Sequence, residues 1–134
     1  MILNFPWSSS PHSVLIVDAS EDSREVLRTA LEHRGVRIFE AENARQGGEI
    51  ARRRRPSLIV LDRETDSADV GEVRRQYLPE SDARTPLVIL GSIRKDEMVR
   101  PADQVLSKPY HYAPLVRKIE QLLEATDQAN KKAA

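Results

Sequence analysis

The sequence predicts an α/β domain: a parallel sheet with helices on both of its faces. Three observations carry that reading. Residues 14–17, 57–62 and 85–92 hold apolar runs of strand length, VLIV, SLIVLD and TPLVILGS. Strands that are apolar throughout belong at the centre of a sheet covered on both sides. Between them lie segments whose apolar residues recur at helical spacing, and strand and helix alternate five times.

Each element has its own signals. Val14 to Val17 form the first strand, ended by Asp18. Ser20 caps a helix, Glu21 and Asp22 suit its N-terminal dipole, and Val26, Leu27, Ala30 and Leu31 follow on one face. Gly35 fits the C′ stop, and VRIFEA (36–41) is a short alternating strand. Asn43 opens a weaker helix containing Gly47 and Gly48, each costing about 1 kcal/mol against alanine. That helix closes on Arg52 to Arg55 before Pro56, and the arginine run suits the negative end of the dipole. SLIVLD (57–62) is the third strand. Asp69 caps a helix through Val73 and Tyr77. TPLVILGS is the fourth strand, a short helix is expected over 94–99, and DQVLSKPY (103–110) supplies a fifth strand ending at Lys108. The last helix carries Leu115, Ile119, Leu122 and Leu123 on one face, with Pro114 in its first turn.

The domain is expected over 13–125. Residues 1–12, with Phe5 and Trp7 as the large anchors, read as an irregular arm, either a disordered leader or a strap; 126–134 read as a frayed tail.

Composition excludes several classes. Lys plus Arg equals Asp plus Glu at 21, so the net charge is zero and bulk attraction to nucleic acid or an anionic membrane is not expected. There is no cysteine, hence no disulfide or thiolate chemistry, and the three histidines lack zinc spacing. No apolar run approaches the roughly 20 residues of a membrane span. The N-terminal residues lack the charged and apolar regions of a signal peptide, so a cytoplasmic protein is expected.

Ligands of open parallel sheets bind beyond the carboxyl ends of the strands. There this sequence places Asp18, Asp62, Gly91 with Ser92, and Lys108. Clustered carboxylates attract a hard cation such as Mg²⁺, and a carboxylate can attack a phosphoryl group to give an aspartyl phosphate. A metal and a lysine would neutralise the developing charge.

On LIVDAS, LIVLD, TPLVIL and SKPY, in order and at family-like spacing over residues 13 to about 124, the chain resembles a response-regulator receiver domain, the phosphoacceptor module of two-component signalling. The resemblance implies a three-layer, flavodoxin-like (βα)5 sandwich with strand order 2-1-3-4-5. It implies Asp62 as phosphoacceptor and Lys108 as the lysine that contacts the phosphoryl group. Asp18 and Asp62 would be metal ligands, together with the backbone carbonyl of Glu64.

The chain also departs from the family pattern. Ala19 stands where a second acid binds metal, so Mg²⁺ binding is expected to be weak. Gly91, with Ser92 next to it, stands where a hydroxyl follows the phosphate, and Val105 holds the aromatic switch position. Ser92 either replaces that hydroxyl or caps the next helix. The loop after Asp62 lacks the family's Met-Pro.

The resemblance implies a stand-alone receiver, not an enzyme, that takes phosphate on Asp62 from a histidine kinase or phosphotransfer protein. It would act on a downstream protein target by contact, without binding DNA or membrane, through a surface over residues 92–124; a homodimer is possible. The rival reading is a pseudo-receiver that docks to proteins without phosphorylation. A small phosphatase is disfavoured by the lack of a second catalytic acid beside Asp62.

Overall fold

A computed structural model describes residues 12–79, 82 and 84–133. The arm at residues 1–11, with Phe5 and Trp7, lies outside the described residues.

Among the described residues there are five strands and four helices: β1 (Ser13–Val17), α1 (Glu21–Glu32), β2 (Arg37–Ala41), α2 (Ala44–Arg54), β3 (Leu58–Asp62), α3 (Val70–Tyr77), β4 (Leu87–Leu90), β5 (Gln104–Leu106) and α4 (Tyr112–Ala133). The strands pair in parallel in the order β2-β1-β3-β4-β5. The order and the layering are those expected.

Alternate residues of each central strand feed opposite layers, as the pleat requires. Val14, Ile16, Leu58, Val60, Val88 and Leu90 face α1 and α4, meeting Leu27, Leu31, Leu115 and Ile119. Leu15, Val17, Ile59, Leu61, Leu87 and Ile89 face α2 and α3, meeting Ala51, Val73 and Tyr77. A fully buried side chain of this kind contributes about 1.5–3 kcal/mol over an exposed one. The double-sided burial explains why these strands carry no alternation in sequence.

The caps form as the sequence indicates. Ser20 accepts from Ser23 N–H, Asn43 from Gln46 N–H and Asp69 from Gly71 N–H. Gly35 turns the chain after α1 with φ of 83°. The two glycines of α2 have a packing reason in Gly47: a Cβ there would lie 3.0 Å from both the Tyr77 ring and Val17. Tyr77 in turn donates to Asp66 Oδ2 at 3.0 Å. The arginine run is held locally. Arg52 donates to the Gln76 carbonyl, Arg54 stands 5.6 Å over the Phe39 ring, and Arg55 pairs with Asp82 at 2.9 Å.

Two expectations need correction. No helix covers 94–99: the whole connection from β4 to β5, residues 91–103, is irregular. Its backbone is held by two buried carboxylates that compete with helical hydrogen bonding. Glu97 accepts from Val70 N–H, and Asp103 accepts from Arg100 N–H and Leu87 N–H. Pro101 also disfavours helical backbone at Arg100. The second correction concerns the tail, expected to fray from 126. Instead α4 continues to Ala133, through alanine, glutamine and lysine of good helix propensity.

Beside α3 the irregular connection leaves a groove of about 840 Å³, lined by Leu78, Met98 and Pro101 among others.

Candidate functional site

The site forms at the carboxyl ends of β1, β3 and β5, with β4 between the last two. Asp62 is the last residue of β3; the adjacent β1 delivers Asp18, and β5, one strand further along beyond β4, delivers Lys108, each just past its strand's end. Both acids are buried, with 8% and 5% of their surface exposed.

Lys108 Nζ donates to Asp62 Oδ1, and a second carboxylate, Glu64 Oε2, stands 3.4 Å from the same nitrogen. These contacts raise the Lys108 pKa, the Asp62 hydrogen bond foremost, so the lysine stays protonated. Asp18 is shifted up as well: burial is the main cause, opposed by the Ser20 N–H that it accepts at 2.8 Å, and the charge of Asp62 adds to the rise. Two carboxylates thus share one pocket against their mutual repulsion, with one ammonium group beside them. Arg24 donates to the Asp18 carbonyl at 2.6 Å, fixing the backbone there.

Asp62 Oδ2 has its own partner. The turn after β3 is closed by Thr65 N–H and Asp66 N–H, both donating to the Asp62 carbonyl. That turn brings Thr65 back beside the acceptor, where its hydroxyl donates to Asp62 Oδ2 at 3.0 Å and accepts Ala19 N–H at 2.8 Å.

Asp18, Asp62 and Lys108 are therefore brought together. Glu64 reaches the pocket by its exposed side chain as well as by its place in the chain. Ser92 is exposed and no helix follows it, so it caps none. Val105 is half-buried against the α2 and α3 layer. Tyr110 packs on the opposite core and meets Tyr112 edge-on at 5.7 Å. Glu21 and Asp22 are exposed in the first turn of α1.

Gly91 adopts φ of 136°, and a Cβ there would lie 2.6 Å from the Arg63 Cβ. The Arg63 guanidinium runs on to bond the Ala68 carbonyl and the buried Glu97. The residue after the acceptor is thus tied to the irregular connection.

Sequence reasoning missed Thr65 and the Arg63–Glu97 pair. A hydroxyl three residues past a strand-end acid, where a tight turn folds back, was the available signal for the first. No local signal marks the second, which joins residues 34 positions apart.

Three or more acids or histidines grouped to hold a metal are absent among the described residues. The two carboxylates present still fit a hard, oxygen-seeking cation that keeps several waters, since a positive charge between them relieves their repulsion.

Residues 14–120 match the family model of the response regulator receiver domain. The chain belongs to that family. Over 113 residues this receiver is 36% identical to the KDP operon transcriptional regulatory protein KdpE of Escherichia coli, covering 80% of this chain and 49% of that protein. Over 127 residues it is 28% identical to the phosphate regulon transcriptional regulatory protein PhoB of Pseudomonas aeruginosa, covering 90% and 56%. The chain spans about half the length of these two relatives.

Among solved structures, the response regulator receiver protein of Sinorhizobium medicae superposes with a TM-score of 0.72 at 20% identity, covering 87% of this chain and 98% of that one. The receiver domain of sensor histidine kinase PA1611 from Pseudomonas aeruginosa, solved with magnesium coordinated in its active-site cleft, gives 0.67 at 21% identity, covering 86% and 99%. These two likenesses speak to the fold. No helix among the described residues is long and apolar enough to cross a membrane.

Proposed function

We propose that this receiver is a phosphoacceptor that takes a phosphoryl group on Asp62 from a histidine kinase or phosphotransfer protein in the cytoplasm, and signals by protein contact. The observation that carries the reading is the pairing of a protonated Lys108 with the buried Asp62 carboxylate, next to a second buried acid.

The residues divide the work. Asp62 is the nucleophile, its Oδ1 beside the ammonium group. Lys108 compensates the charge of the incoming phosphoryl oxygens. Asp18 and Asp62, with the Glu64 carbonyl, would hold Mg²⁺, whose chemistry is to neutralise charge on the same oxygens. With Ala19 in place of a third acid, that affinity is low. Phosphorylation replaces the single negative charge of the Asp62 carboxylate with about −1.5 to −2 on the phosphoryl group, beside Asp18 and Glu64.

The output face of 92–124 now comprises the irregular connection, β5 and the start of α4, with the groove beside α3 at its margin.

Intact mass after incubation with acetyl phosphate and Mg²⁺ tests this. A single phosphoryl adduct on the wild type, absent from Asp62→Asn, supports it. No adduct at high Mg²⁺ turns the reading to the pseudo-receiver, a binding module independent of phosphate, which Ala19 and Gly91 favour.

A further inference from the structure

We infer that Thr65 is a positioning residue for the acceptor: its hydroxyl, braced by Ala19 N–H, holds Asp62 Oδ2 and leaves Oδ1, beside Lys108, as the atom that attacks phosphorus. This rests on the phosphoacceptor reading of Asp62.

The geometry on both sides of the carboxylate is complementary. Oδ1 meets a cation, and Oδ2 meets a neutral donor at 3.0 Å. A carboxylate free to rotate presents either oxygen, and neither is aligned. Fixing one oxygen aligns the other, which is the gain that orientation gives to a transfer step. The brace makes the hydroxyl directional. Having accepted Ala19 N–H at 2.8 Å, the Thr65 oxygen directs its own proton to Asp62. The donor comes from position 19 itself. A backbone N–H there, relayed through Thr65, fixes the acceptor oxygen on the side where this chain lacks a third carboxylate.

The step balances without a proton acceptor. Ionised Oδ1 attacks the phosphorus of acetyl phosphate, the Oδ1–P bond forms, and the bond from phosphorus to the acetyl oxygen breaks. Acetate departs with that electron pair. Lys108 keeps its proton throughout, and Thr65 donates to Oδ2 before and after, when Oδ2 has become the carbonyl oxygen of the acyl phosphate.

The test compares the wild type, Thr65→Val and Thr65→Ser by the time course of the phosphoryl adduct in intact mass, over a range of acetyl phosphate concentrations at fixed Mg²⁺. Valine keeps the shape and lies in a half-buried turn, so the fold is expected to hold; circular dichroism checks it. The expected result is a maximal rate lower by about tenfold in Thr65→Val, the effect of one oriented hydrogen bond, with the half-saturating donor concentration unchanged. Thr65→Ser should return the rate to within about threefold of wild type, since the donor is restored. Equal maximal rates in wild type and Thr65→Val overturn the inference and leave the phosphoacceptor reading standing. So does a loss that serine fails to restore. No adduct on the wild type overturns the phosphoacceptor reading, and the inference with it.

Discussion

Placing a hydroxyl-bearing residue such as threonine at position 91 should harm this protein. Gly91 adopts φ of 136°, where L side chains are strained. Its missing Cβ would stand 2.6 Å from the Arg63 Cβ and 3.4 Å from the Cγ. The backbone strain costs about 1–3 kcal/mol and forced overpacking about as much again, so Gly91→Ala is expected to cost about 2–6 kcal/mol and Gly91→Thr no less. Urea unfolding followed by circular dichroism measures this, with an unchanged slope showing that stability alone has moved. The two contributions are separable. In an Arg63→Gly background the Cβ clash is gone and the strain persists, so Gly91→Ala should cost less there by about 1–3 kcal/mol. A cost below about 0.5 kcal/mol in the wild type, or one identical in both backgrounds, would refute the contact argument. The same geometry means that Gly91→Thr displaces Arg63, and with it the Glu97 contact, before any new hydroxyl can serve the phosphate.

Three further outcomes follow from the same contacts. Burial and the charge of Asp62 raise the Asp18 pKa above its ordinary 3.8, so the folded state binds the proton more tightly than the unfolded one and stability falls as pH rises from 3.8 through the raised value; Asp18→Asn should therefore be the more stable protein at pH 7 in chelator, with the difference closing as pH falls to 3.8, and a variant less stable at pH 7 contradicts this. Ala19→Asp should tighten Mg²⁺ by about tenfold, the equivalent of about 1.4 kcal/mol, because a third carboxylate joins the pair; calorimetric titration reads it, and an unchanged affinity would show that position 19 does not face the metal. Arg74 and Asp103 make a two-point pair at 2.7 and 3.3 Å with almost no exposure, so Arg74→Met, which removes the cation beside a buried acid, should cost about 3–5 kcal/mol; denaturant midpoints decide, and a variant within about 1 kcal/mol of wild type is the contrary result.

What could be read from the sequence divides along physical lines. The three central strands were legible because burial on both faces leaves a continuous apolar run, and the caps because Ser20, Asn43 and Asp69 bond only locally. The site acids were legible for the same reason: an acid ending such a run has one place to be. The connection at 91–103 was not. Its apolar residues are few, and what decides its path is the pairing of Glu97 with Arg63 and of Asp103 with Arg74, across separations that no window of sequence spans. The length of α4 was misjudged in the other direction, because polar helix formers look like a tail when composition alone is weighed.

Two of the departures from the family pattern, at Ala19 and Gly91, share one property: each has a physical counterpart beside it. Ala19 withholds a carboxylate, and its backbone N–H is engaged by Thr65, which holds the acceptor instead. Gly91 withholds a hydroxyl, and the space of its side chain is taken by Arg63. The connection has no helix to bury against α3, and Glu97 reaches the first N–H of that helix while Asp103 grips its fifth residue. A site merely losing function would show gaps at these positions: an unpartnered N–H, an empty space, a loose loop. Filled gaps mean that the pocket is organised around a different set of contacts. Arg63 adjoins Asp62 in the chain and bonds the buried Glu97 of the irregular connection.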